Sequence, residues 1–126
     1  TYLFPYAIEI LEYLRPKYLL YIITNGFEEV QFRKLKSSGM DKYFTNIITS
    51  EEAGSKKPDR GIFDYALKKT GAPVIESLMI GDDIEVDIEG ARLAGFDQLY
   101  VNHDRNVHDA EATFEVFSLE EIKSIL

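Results

Sequence analysis

Apolar residues along the chain fall into two alternating patterns, short continuous runs and helically spaced positions. The continuous runs lie at residues 18–23, 46–49, 77–80 and 98–101, with a further candidate at 113–117. Such runs, without polar alternation, are typical of strands buried on both faces of a parallel sheet. We therefore predict four or five strands, most of them parallel.

Helical spacing of apolar residues appears between the predicted strands. Helices are predicted at residues 8–15, 28–38, 62–70 and 85–94, with a short final helix that Ser118 opens in a capping box with Glu121. Strands that alternate with helices form βαβ units, so the predicted fold is α/β, a Rossmann-like three-layer α/β/α arrangement. The polar stretch 103–111 is predicted to be a surface loop, with His103 and His108 exposed to solvent.

Length and charge limit the classes of function. A chain of 126 residues is predicted to form one domain, 1–126. Its net charge of -8 repels nucleic acid and anionic membranes, and no apolar run approaches the ~20 residues of a membrane span. The chain has no cysteine, which excludes thiolate metal sites and favours a cytoplasmic location. It begins with Thr1 rather than methionine, so we expect it to be part of a longer protein.

Polar clusters follow three of the apolar runs. Because the carboxyl ends of parallel strands form one rim where ligands bind, we expect these clusters to meet. They are Thr24-Asn25-Gly26, Lys57-Pro58-Asp59, and Gly81-Asp82-Asp83 with Asp87. A hydroxyl, an ammonium and several carboxylates at one rim indicate phosphate chemistry around a divalent metal.

The first two clusters each allow a functional and a structural interpretation. The Thr24 hydroxyl, with N–H groups of the following turn, suits a phosphate oxygen. Taken alone, this cluster favours a structural interpretation, because Asn25-Gly26 is a common turn dipeptide and Thr24 a common helix cap. An ammonium at Lys57 would neutralise a transferring phosphoryl group, although surface lysines are common. Lys57 is preferred to Lys56 because Pro58 restricts the backbone of the residue before it.

The acidic cluster favours function over structure. Mg²⁺ is held in proteins by one or two carboxylates together with water and substrate phosphate. Asp82 and Asp83 could provide the carboxylates. Asp83 and Asp87 would also suit a helix N-terminus, where the dipole favours negative charge. Three acids at one rim exceed what capping requires, so we predict a Mg²⁺ site.

Taken in this order, the clusters resemble the haloacid dehalogenase-like hydrolase superfamily, whose members are mostly phosphatases. Thr24 matches its second motif, Lys57-Pro58 its third, and Gly81, Asp82 and Asp87 its acidic fourth. The segment Thr24-Asn25-Gly26-Phe27, with Gln31 and Leu35, looks most like the pyrimidine-nucleotidase-like branch.

The resemblance implies a role for each matching residue. Thr24, Asn25 and Gly26 would bind the phosphoryl group of a small phosphorylated substrate, and Lys57 would neutralise its charge. Asp82 would be the main Mg²⁺ ligand, with Asp83 in support. Asp87 would hold Lys57 or a metal-bound water.

The chain departs from the family at its first motif. Asp-x-Asp-x-Thr/Ser, which supplies the phosphoryl-accepting aspartate, has no counterpart, and neither does the mobile cap that follows it. We therefore expect the C-terminal portion of a Mg²⁺-dependent phosphomonoesterase, inactive by itself because the covalent step lacks its acceptor. A haloacid dehalogenase and a non-catalytic interaction module remain alternatives. A response-regulator receiver domain is disfavoured because its acids precede its Thr and Lys.

The family's first strand would lie between the strands at 18–23 and 77–80. Its absence would leave two apolar strands each without a neighbour, at ~1–3 kcal/mol for every dry, unpaired backbone group. We expect a strand from another polypeptide to lie between them, and direct pairing of the two strands is the alternative. That strand would come from a second copy of the chain, in a strand-sharing homodimer, or from a complementing N-terminal segment.

Overall fold

The computed structural model describes residues 6–26 and 29–126, and the side chain of Gln31 lies outside this description. Of the predicted features, Phe27, the start of the second helix at Glu28 and the Gln31 side chain fall outside the described residues. Within them, no helix is long and apolar enough to cross a membrane.

Every predicted strand and helix has a counterpart in the described residues. The strands are β1 (Tyr21–Thr24), β2 (Asn46–Thr49), β3 (Leu78–Gly81), β4 (Asp97–Val101) and β5 (Phe114–Val116). The α-helices are α1 (Ala7–Leu14), α2 (Glu29–Ser37), α3 (Ser50–Ala53), α4 (Arg60–Thr70) and α5 (Gly90–Leu93). A π-helical segment, Ile84–Glu89, leads into α5, and 3₁₀ turns occupy Asp41–Tyr43, Val74–Glu76 and Leu119–Ser124.

Two apolar cores enclose the strands from opposite faces. Met79 of β3 belongs to the core beneath α4 and α5, whereas its neighbours Leu78 and Ile80 pack against the core beneath α1. Successive side chains of a strand point to opposite faces, so helices cover the strands on both sides. The predicted three-layer α/β/α fold is confirmed.

All strand pairs in the described residues are parallel, but they form two sheets instead of one. β1 pairs with β2, and β3 pairs with β4, which pairs with β5. The alternative, direct pairing of the strands at 18–23 and 77–80, does not occur in the described residues, where β1 and β3 each lie at a sheet edge. Whether a strand of another polypeptide pairs with them stays a prediction.

The packing of the helices explains why the two sheets do not close up. One continuous core contains Ile48 of β2, Phe63 of α4, Met79 of β3 and Ala91 of α5. Residues of both sheets and of both helices thus pack into one core, which holds the sheets in their relative positions. Closing the gap would require α4 and α5 to move, at the expense of close-packed contacts such as the edge-to-face pair of Phe63 and Phe96.

The polar stretch at 103–111 contains no helix or strand, as predicted, but His108 is not a solvated surface residue. Only 14% of its side chain is exposed, and its Nε2 lies 2.9 Å from an oxygen of Glu115. Its Nδ1 accepts a hydrogen bond from the N–H of Ala110. These contacts fasten the loop to β5, which explains the burial of a residue whose local sequence is polar.

Candidate active site

Two of the three predicted clusters meet directly in the structure. Asn25 follows β1, and Lys57 lies in the loop between α3 and α4. The Asn25 side chain donates a hydrogen bond from Nδ2 to the carbonyl of Lys57 (2.9 Å) and accepts one at Oδ1 from the Lys57 N–H (2.6 Å). The end of the first sheet is thereby fastened to the lysine loop.

The third cluster joins the other two through an ion pair. The Nζ of Lys57 lies 2.6 Å from Oδ1 of Asp87, and only 11% and 9% of these two side chains are exposed. The other oxygen, Oδ2, accepts a hydrogen bond from the N–H of Asp83. Burial removes water from both charges, which costs free energy. Close contact and further hydrogen bonds offset this cost, and the Lys57–Asp87 pair has both.

Gly81, the last residue of β3, makes room for this ion pair. A Cβ at position 81 would lie 2.5 Å from both Cβ and Oδ2 of Asp87. That separation is far below van der Waals contact, so the close approach of Asp87 to the strand end requires glycine. In the Gly-Asp motif, Gly81 therefore has a steric role.

The remaining two acids differ in what they contact. Asp83 accepts a hydrogen bond at Oδ1 from the N–H of Val86 (2.8 Å), as an N-cap does, so the capping interpretation holds for that oxygen. Asp82 is exposed, and no hydrogen bond or ion pair of its carboxylate occurs among the described residues. In the same part of the chain, no three His, Cys, Asp or Glu residues form a group that could hold a metal ion.

Thr24 and Gly26 form a local turn at the end of β1. The Thr24 hydroxyl donates to the carbonyl of Gly26 (2.9 Å) and accepts from the N–H of the same residue (3.3 Å). The turn interpretation is therefore confirmed for this arrangement. A phosphate oxygen would have to replace the Gly26 carbonyl as the acceptor of the Thr24 proton.

The sequence analysis missed Ser50, the first residue of α3. Its hydroxyl donates to the carbonyl of Asn25 at 2.6 Å and so connects the ends of β1 and β2. Thr49 and Glu52 form a capping box at the start of this helix. Ser50 directly follows the predicted second strand, and this position is the signal that could have placed it at the same rim.

The exposed acids Asp82 and Asp83 and the paired Lys57 thus lie at the carboxyl ends of parallel strands, the edge at which α/β proteins bind their ligands. The sequence of residues 1–95 matches the family model of the haloacid dehalogenase-like hydrolases. The chain belongs to this family.

Individual relatives refine that placement. The chain is 39% identical over 125 residues to pyrimidine 5'-nucleotidase YjjG of Escherichia coli, covering 97% of the chain and 56% of that protein. This confirms the predicted likeness to the pyrimidine-nucleotidase branch. The chain spans little more than half the length of this relative.

Solved structures share the fold. A crystal structure of YfnB from Bacillus subtilis bound to magnesium superposes with a TM-score of 0.89 at 32% identity, covering 95% of the chain and 54% of that protein. A 2-haloacid dehalogenase from Pseudomonas syringae pv. Tomato superposes with a TM-score of 0.87 at 27% identity, over 98% and 53%. The same fold thus occurs in a magnesium-bound hydrolase and in a protein described as a 2-haloacid dehalogenase.

The first prediction concerns the ion pair. Asp87→Asn leaves the Lys57 ammonium buried without its partner, and breaking a buried pair costs ~3–5 kcal/mol. Because about a tenth of each side chain remains exposed, we expect the lower end of that range, measured by urea unfolding. Lys57→Met in the same protein should recover part of the loss. The matched control is Glu89→Gln, which breaks an exposed pair with Arg92 and should cost less than ~1 kcal/mol.

The second prediction concerns the capping box beside Ser50. The hydrogen bond from Lys69 and the bond from the Thr49 N–H lower the pKa of Glu52 below its usual 4.5. A lowered pKa contributes stability above the unfolded-state pKa, and this contribution disappears as pH falls through the folded-state value. Glu52→Gln should therefore lower the melting temperature at pH 7, and the difference from wild type should shrink at pH 3. A constant difference across that range would contradict the assignment.

Proposed function

We propose that this chain is part of a Mg²⁺-dependent phosphomonoesterase acting on a small phosphorylated metabolite or nucleotide. The observation that carries the proposal is the buried Lys57–Asp87 pair at the carboxyl ends of β1 and β3, beside the exposed Asp82 carboxylate. A fixed ammonium at a rim stabilises negative charge as it develops, which phosphoryl transfer requires.

The residues of the chain divide the work as follows. Lys57 binds a phosphoryl oxygen, and Asp87 keeps its ammonium in place. The Thr24 hydroxyl can donate a second hydrogen bond to the phosphoryl group once it rotates away from the Gly26 carbonyl.

The acidic residues fit a Mg²⁺ ion that completes its shell with water and substrate phosphate. Asp82 has a carboxylate without a protein partner among the described residues, and Asp83 keeps one oxygen outside its capping bond. One or two carboxylates are what Mg²⁺ sites of this kind use. When bound, the metal would neutralise phosphate charge and orient the transferring group.

The phosphoryl acceptor is proposed to lie outside these 126 residues. The chain contains no Asp-x-Asp-x-Thr/Ser sequence, and it spans 56% of the length of YjjG. By analogy with the family, the acceptor is an aspartate that forms an aspartyl-phosphate. We therefore propose that the 126-residue chain alone does not turn over substrate.

We further propose that one additional parallel strand lies between β1 and β3. Both strands are sheet edges with a side chain at the same apolar core, Ile23 of β1 and Met79 of β3, and an unpaired edge recruits a strand. A complementing N-terminal segment or a second copy of the chain would supply it.

A pyrimidine nucleoside monophosphate is the substrate to test first, because YjjG is named a pyrimidine 5'-nucleotidase. The likeness to a 2-haloacid dehalogenase favours dehalogenation as a second candidate. The two acids Asp82 and Asp83 support the metal-dependent phosphatase, since hard cations prefer carboxylate oxygens.

The third prediction tests the phosphatase. The protein that includes the preceding segment should release phosphate from pyrimidine nucleoside monophosphates with Mg²⁺ and lose this activity in excess EDTA. Lys57→Ala should lower kcat by ~10²–10³, as removal of a single electrostatic donor does. Lys56→Ala is the matched control and should retain activity, because Lys56 is the exposed neighbour.

Other outcomes of this assay point to the alternatives. Halide release from 2-haloacids without Mg²⁺, and no phosphate release, would identify a dehalogenase. Neither activity in the longer protein would favour a non-catalytic interaction module.

The fourth prediction tests the additional strand. In light scattering after size-exclusion chromatography, the 126-residue chain should run at twice its 14.5 kDa mass, since a second copy can cover the open edges. Adding the preceding segment should convert it to a monomer of higher melting temperature. A stable monomer without that segment, whose stability the segment does not change, would refute the proposal.

A further inference from the structure

We infer that Asn25 is a positioning residue that clamps the backbone of Lys57, with Ser50 holding the clamp in place. This role differs from the phosphoryl contact that the family resemblance implies for Asn25. The inference depends on the proposed function only for the reason why Lys57 must be held.

Both ends of the Asn25 amide bind the same residue. Nδ2 donates to the Lys57 carbonyl at 2.9 Å, and Oδ1 accepts from the Lys57 N–H at 2.6 Å. This is the pair of bonds that two residues exchange across a sheet. Pro58 favours an extended backbone at Lys57, in which the N–H and the carbonyl point to the same side. Pro58 thus favours the backbone conformation of Lys57 in which the Asn25 amide can bind both of its peptide groups.

The clamp and the ion pair hold different parts of Lys57. Asn25 fixes the backbone, and Asp87 fixes the ammonium at 2.6 Å. A lysine side chain has four rotatable bonds, so its ammonium is positioned only if both ends are restrained. Asn25 thereby determines where the positive charge lies without contacting the substrate.

Ser50 restrains Asn25 in turn. Its hydroxyl donates to the Asn25 carbonyl at 2.6 Å, and Ser50 begins α3 directly after β2. The backbone of Asn25 is therefore held by the neighbouring strand, while its side chain binds the lysine loop. The chain of contacts runs from β2 through Ser50 and Asn25 to Lys57, and from there to Asp87 beside β3.

The test is amide hydrogen exchange followed by NMR in the protein and two variants at position 25. Asn25→Ala removes both bonds, so the Lys57 amide should exchange about tenfold faster, as expected for loss of one hydrogen bond. Asn25→Asp keeps an acceptor for that N–H and should retain the protection. A further variant, Asn25→Leu, has about the size of asparagine but no acceptor, and it should lose the protection as alanine does, which a general packing role would not produce.

Controls separate the clamp from global opening. The amides of Gly71 and Ile88, which bond within other turns, should keep their exchange rates in Asn25→Ala. Asn46→Ala, which removes an exposed amide at the other end of the same sheet, should leave the Lys57 amide unchanged. For Ser50, alanine should accelerate exchange at Lys57, and threonine, which keeps the hydroxyl, should not.

Unchanged protection of the Lys57 amide in Asn25→Ala would overturn the inference. Equal loss of protection in the alanine and aspartate variants would overturn it as well. If the alanine variant does not fold, loss of protection in the aspartate variant alone would have the same consequence. None of these measurements needs turnover. A clamp that fails leaves the phosphatase proposal intact, and a protein without phosphatase activity still reports on the clamp.

Discussion

The Lys57–Asp87 ion pair is the interaction on which the arrangement of the rim depends. It joins a loop fastened to β1 with the segment that follows β3, and those strands belong to different sheets in this chain. Each charge has left most of its water, so neither is stable there without the other. Other features of the rim serve this contact: Gly81 leaves space for Asp87, and the Asn25 amide holds the lysine backbone.

Much of the fold could be predicted from sequence because burial leaves a local signal. The runs at 46–49 and 98–101 differ from the observed strands by at most one residue, and the capping box of Ser118 and Glu121 is present. The neighbours of β1 and β3 could not be predicted in the same way. Local patterns indicate that a strand is buried, whereas its neighbour depends on how distant parts of the chain pack, here in the core that contains both Ile48 of β2 and Met79 of β3.

The candidate site was predicted in part. The order of the polar clusters along the chain was enough to bring Asn25, Lys57 and Asp87 to one rim, because strand direction fixes that edge. The partners of each atom were beyond sequence reasoning. Nothing in a Thr-Asn-Gly turn indicates that its amide would bind a peptide group 32 residues away, or that a serine after β2 would hold it.

Gly81 also has a consequence for how variation in this family is interpreted. The residue has no functional group, yet even a methyl side chain would lie 2.5 Å from Oδ2 of Asp87, too close for the carboxylate to keep its place. In a deep mutational scan, replacement of this glycine would score like replacement of a reacting residue. Intolerance to mutation at such a rim therefore does not show that a residue takes part in the reaction. The residue either carries a required charge or leaves the space that a charged side chain occupies.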